Sequence, residues 1–96
     1  MIVLRFKLRC RPESSDEMAT ALAAVVGPSR ELAGVLSFDV GRDVTDGSTF
    51  IATEVFEDDG ARARQEALPQ VARVMELLPN SLAAPPELTR YEMQPV

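Results

Sequence analysis

Glu54 is the residue whose surroundings in the sequence point to chemistry. It stands in the run Phe50-Ile51-Ala52-Thr53-Glu54-Val55-Phe56. Alternation along a strand puts Phe50, Ala52, Glu54 and Phe56 on one face and Ile51, Thr53 and Val55 on the other. A carboxylate among apolar side chains loses hydration, which raises its pKa and suits it to take a proton from a weak acid such as a phenol. The structural alternative is that Glu54 pairs with an arginine at a rim or in a subunit interface. The residue types that are missing narrow the field further. The chain has no histidine, no tryptophan and a single cysteine, so the usual zinc sites, Ser-His or Cys-His nucleophilic sites and histidine-ligated haem lack their parts. Gln65, Gln70 and Tyr91 are hydrogen-bonding groups, of which Tyr91 reads as a strand-packing residue with its hydroxyl at an edge. Cys10 reads as a small buried hydrophobe.

The elements that must position these groups follow from periodicity. Ile2, Leu4, Phe6, Leu8 and Cys10 alternate with Val3, Arg5, Lys7 and Arg9, a strand with one oily and one basic face. Ser14 and Glu17 have the spacing of a capping box, and Met18, Ala21, Leu22 and Val25 follow at helical intervals to about Val26. Gly27-Pro28 is expected to interrupt this helix, with a further turn over Ser29 to Ala33 and a stop at Gly34. Leu36, Phe38 and Val40 alternate with Ser37, Asp39 and Gly41 as a second strand. The turn formers from Asp43 to Ser48 join it as a hairpin to the strand that carries Glu54. Asp58 or Asp59 can cap a short helix through Leu68, which Pro69 ends or restarts. Val71, Val74, Met75 and Leu78 mark an amphipathic segment to about Leu78, and Glu87 to Gln94 reads as a last strand.

The order strand, helix, strand, strand, helix, strand in one domain over residues 1–96 is that of a ferredoxin-like α+β fold, an antiparallel sheet with helices on one face. A chain of this size buries only about 60 to 65% of the surface of its unfolded form. The Glu54 strand carries large apolar groups on both faces, and one helical layer covers one of them. A two-fold homodimer through the open sheet face is the simplest cover. The formal charge of −5 disfavours nucleic acid and anionic membranes as partners. Arg5, Lys7, Arg9 and Arg11 form a local basic stripe, for which pairing with Asp39, Glu57 or Glu92 in a dimer interface is expected ahead of anion binding. With one cysteine and no apolar run of membrane-spanning length, the expected setting is cytoplasmic.

The succession of Arg11-Pro12, Leu32-Ala33-Gly34-Val35-Leu36-Ser37-Phe38, Thr53-Glu54-Val55-Phe56-Glu57-Asp58 and Pro86-Glu87-Leu88-Thr89-Arg90-Tyr91-Glu92 resembles the antibiotic biosynthesis monooxygenase family of dimeric α+β barrels. The resemblance spans nearly the whole chain. It implies oxidation of a small aromatic, polyketide or quinol-like molecule by molecular oxygen with no cofactor, in a cavity between helices and sheet. The implied base is Glu54, and the implied pocket comprises Phe6, Leu22, Phe38, Ala52, Phe56, Gln65, Gln70 and Met75. By the same resemblance Phe56 replaces the family's tryptophan, and Gln65 and Gln70 replace its two frequent histidines. Glutamine can hydrogen-bond a substrate but cannot accept a proton near neutral pH. Haem degradation is disfavoured because Phe6 stands where that branch uses a polar residue. A non-catalytic dimer that binds a small ligand or serves as an interaction domain, and a cofactor-free isomerase or cyclase, are the alternatives.

Overall fold

The computed structural model describes residues 1–94. Its elements are β1 (Ile2–Arg9), α1 (Ser15–Glu31), β2 (Val35–Asp43), β3 (Asp46–Phe56), α2 (Asp59–Glu66), α3 (Pro69–Ser81) and β4 (Glu87–Glu92), with one 3-10 turn at Pro12–Ser14. The four strands form an antiparallel sheet in the order β2-β3-β1-β4. β3 lies between the two strands that α1 connects, which is the split βαβ arrangement of the expected ferredoxin-like fold.

Pairing register fixes what faces the helices. Four rows cross the inward side of the sheet: Ile2–Phe56–Val35, Leu4–Glu54–Phe38, Phe6–Ala52–Val40 and Leu8–Phe50–Arg42. The alternation in β2 is not the simple one expected. Val35 pairs with Phe56 and Ser37 with Val55, so Leu36 is an extra residue, and such a bulge reverses the alternation that follows it. Val35 and Phe38 therefore both face inward, while Leu36 is half exposed.

The core falls into two clusters. One holds Leu8, Met18, Leu22, Val25, Phe38, Phe50 and Val74, and joins α1 and α3 to the sheet. Cys10 belongs to this cluster, and burial pushes its thiol pKa up. The other cluster holds Ile2, Leu4, Phe56 and Ala61 beneath α2. Gly34 lets α2 approach: its φ is +85°, and a Cβ there would lie 2.7 Å from that of Ala61. Both features favour glycine.

α1 departs from expectation at both ends. Ser14 precedes it with φ −101° and ψ −5° and makes no side-chain cap bond, because the preceding 3-10 turn leaves its backbone helical, whereas capping needs an extended residue. Ser15 Oγ instead donates to the carbonyl of Gly47, 3.2 Å away. Pro28 does not interrupt the helix, which runs on to Glu31. A proline removes one intrahelical bond, to the residue four before it. That residue is Ala24, which is exposed, so the freed carbonyl lies on the solvent side. Continuity places Ser29 in the buried stripe of Met18, Leu22 and Val25. Of the two caps expected, Asp58 serves α2, accepting from the Ala61 N–H at 2.9 Å.

The basic stripe lies on the outward face, which Val3, Ile51, Val55 and the half-exposed Tyr91 share. Two of its expected acidic partners are held elsewhere within the chain. Asp39 binds Arg30 at 2.9 Å, and Glu92 binds Arg90, also at 2.9 Å. Arg90 further reaches Asp59 at the start of α2, which ties the edge strand to that helix.

Candidate functional site

A cavity of about 450 Å³ opens between the sheet and the helices. Its floor is the row Phe6–Ala52–Val40, three residues that the helices cover only in part. Ala52 leaves the gap: it is the smallest inward side chain of β3, flanked by Phe50 and Glu54. Leu8 and Phe38 extend the floor, Leu22 and Val25 of α1 form one wall, and Val71, Val74, Met75 and Leu78 of α3 form another. Gln65 and Glu66 of α2 and Pro86 complete the lining.

Glu54 lies at the junction of the two core clusters, between Leu4 and Phe38 in its row. It is 6% exposed and lines the cavity. Among the described residues no hydrogen bond or ion pair reaches its carboxylate. The pKa of Glu54 is pushed up to about 7, chiefly by burial. The carboxylate of Glu66 raises it further, and the guanidinium of Arg62 partly offsets that. Arg62 and Glu66 bind one another at 2.7 Å along α2. An unpaired carboxyl that titrates near neutrality can receive a proton from a bound weak acid.

Gln65 is the other polar group of the lining that is buried. Its Nε2 donates to Ser29 Oγ at 3.1 Å, and Ser29 Oγ donates to the Val25 carbonyl at 2.7 Å. Sequence reasoning missed Ser29, because it ended the helix before that residue.

Of the pocket residues expected, Phe6, Leu22, Phe38, Ala52, Gln65 and Met75 lie on the lining together with Glu54. Phe56 and Gln70 do not. Phe56 is wholly buried with Ile2, Leu4 and Ala61, because α2 packs over it. Gln70 lies about 100° round α3 from Val71, at the side of the lining stripe, and its Oε1 is buried without a hydrogen-bond partner. Tyr91 pairs with Val3 on the outward face, away from the cavity. The lining also takes in Leu8, Val25, Val40, Val71, Val74, Leu78, Glu66 and Pro86. Leu8, Val71, Val74 and Leu78 carried a periodic signal, and so did Val40, which alternation puts on the face of Phe38. Among the described residues no group of three or more His, Cys, Asp or Glu side chains could hold a metal ion. No described helix is long and apolar enough to cross a membrane.

Comparison with known proteins adds a family. The sequence model of the family described as antibiotic biosynthesis monooxygenase matches residues 1–77. No protein of curated function matches the chain. Among solved structures, PA3566 from Pseudomonas aeruginosa is similar at 23% identity and a TM-score of 0.87, over 98% of this chain and 94% of that one. Rv0793 from Mycobacterium tuberculosis is similar at 17% identity and a TM-score of 0.88, over 99% and 96%. A structure described as an antibiotic biosynthesis monooxygenase is similar at 19% identity and a TM-score of 0.88, over 99% and 100%. At such identities the likeness is one of fold.

Proposed function

The chain belongs to the antibiotic biosynthesis monooxygenase family, and on that premise we propose that it is a cofactor-independent monooxygenase of a small aromatic, polyketide or quinol-like substrate, with Glu54 as the base. The observation that carries this reading is an unpaired, buried carboxyl with a pKa near 7 facing an apolar cavity. Its volume lies within the 300–1,000 Å³ usual for small-molecule sites.

Triplet oxygen reacts readily with an electron-rich anion and slowly with a neutral phenol. Glu54 takes the acidic proton, the apolar walls keep the resulting anion out of water, and the anion transfers an electron to oxygen. For an anthrone-type substrate the atoms balance with no external reductant. One oxygen atom becomes the new ring carbonyl, and the other leaves as water with the two hydrogens of the oxidised carbon. Gln65 orients the substrate by hydrogen bonding and takes no proton.

The protein works in this reading as a cytoplasmic homodimer. Support for the dimer comes from the uncovered apolar residues Val3, Ile51, Val55 and Tyr91 on the outward face of the sheet. Sedimentation at micromolar concentration is expected to give about twice 10.5 kDa, and a single monomeric species would refute it. For the reaction, oxygen uptake is measured with a panel of anthrones and hydroquinones. Uptake that Glu54→Gln abolishes supports the assignment; uptake unchanged by that substitution removes Glu54 as the base. Ligand binding without uptake, by a panel that fits the cavity, would make the protein a binder in place of an enzyme.

A further inference from the structure

Ser29 is fully buried in α1 and does not line the cavity, yet its bonding settles what Gln65 shows a ligand. A serine hydroxyl has one proton, and that of Ser29 goes to the Val25 carbonyl at 2.7 Å. Only lone pairs remain for Gln65, so Gln65 must turn its NH2 group toward Ser29, where Nε2 lies 3.1 Å from Oγ. The amide oxygen then points away from α1. Among the described residues, the one side-chain N or O atom that is sealed from solvent and lacks a partner is Gln70 Oε1. Gln65 Oε1 has no partner either, so it is not sealed. Gln65 as a whole is 3% exposed and lines the cavity, and its oxygen therefore opens there.

Resting on the reading of Glu54 and its cavity given above, we propose that Ser29 is a positioning residue that sets substrate specificity by locking Gln65 Oε1 toward the cavity as an acceptor. The two buried polar groups of the lining, the Glu54 carboxylate and this oxygen, are then both acceptors. They select an aromatic ring with two hydroxyl groups, one to give its proton to Glu54 and one to hydrogen-bond Gln65. A ring with an ether or a carbonyl at the second position leaves the amide oxygen unpaired in a desolvated site.

Two probes isolate the Gln65 contact. 1,4-Dihydroxynaphthalene offers both hydroxyls, and 4-methoxy-1-naphthol offers the first alone. Anaerobic titration calorimetry of the wild-type protein is expected to show the diol bound about tenfold more tightly, the worth of one net hydrogen bond. Ser29→Ala frees the amide to rotate and should bring the ratio close to one. Ser29→Thr keeps the hydroxyl and its bond to Val25 and should restore the preference. Gln65→Met leaves Ser29 in place, removes the acceptor and should also abolish the preference. It provides the decisive comparison if Ser29→Ala does not fold. Equal affinity of the wild-type protein for both probes, or a preference kept in Gln65→Met, overturns this inference and leaves Glu54 as base untouched. Failure of both probes to bind the wild-type protein overturns the cavity reading and this inference with it.

Discussion

Two neighbouring parts of the inward sheet face are built from the same strands and meet opposite ends. The row Ile2–Phe56–Val35 lies beneath Ala61 of α2, with Ile2 and Phe56 buried and Val35 partly so. Two register steps along, the row Phe6–Ala52–Val40 stays partly open and floors a cavity. The β1–β3 ladder does not separate them, since it runs through both rows without a break, although the bulge at Leu36 lies between them in β2. Side-chain size does: phenylalanine fills the space under α2, whereas alanine leaves room beneath α1 and α3. Glu54 lies in the row between, where one flank is packed core and the other is empty space. Such a carboxyl loses water on the packed side and gains no partner on the open one, which accounts for its raised pKa.

The contrast can be tested from its strongest consequence to its weakest. Phe56→Ala empties the closed part and should cost about 3–5 kcal/mol of stability, read as a fall in the denaturant midpoint. A loss below about 1 kcal/mol would show that this row is not packed as described. Glu54→Gln addresses the row between. Because the folded pKa of about 7 lies above the ordinary 4.5, the folded state holds the proton more tightly. Wild-type stability should therefore be unpenalised below pH 4.5, decline as pH rises toward 7, and stay lower above it. By the linkage relation the penalty is about 3 kcal/mol at pH 8. The glutamine variant should lack this slope between pH 4.5 and 7, and parallel curves for the two proteins would refute the shift. Ala52→Leu fills the open row. It should abolish ligand binding with a stability change within about 1.5 kcal/mol, since the added methylenes enter empty space, and calorimetric binding retained by this variant would place the ligand elsewhere. The smallest effect is electrostatic. Glu66→Gln removes a negative charge from the cavity mouth and should lower the pKa of Glu54, moving the pH midpoint of any Glu54-dependent signal downward. An upward movement would reverse the assigned influence of Glu66.

The outline of the fold was legible because alternation and helical spacing are local properties. β1 and the apolar stripe of α3 could be read directly from the sequence, and the cap of α2 to within one residue, Asp58 or Asp59. The bulge at Leu36 could not, because an inserted residue leaves a normal-looking alternation and only pairing with Val55 and Phe56 reveals it. The helix through Pro28 was missed for a related reason. Its local cost is visible in the sequence, whereas the burial of Ser29 against Gln65 that accompanies the longer helix is a contact between residues 36 positions apart. The family resemblance implies Phe56 and Gln70 in the pocket, but neither a resemblance nor a periodic pattern tells where one helix stops covering a sheet.

By itself the sequence determined that Glu54 shares a strand face with phenylalanines, that no histidine can stand in for it, and that the elements follow the order of a ferredoxin-like α+β fold. Tertiary structure alone decided that no described group pairs with the carboxyl, that the space before it is a cavity, and that the amide of Gln65 meets Ser29. Periodicity fixes the direction in which a side chain leaves its own element. What it encounters depends on the register and cover of other elements, which are set by packing across the whole chain.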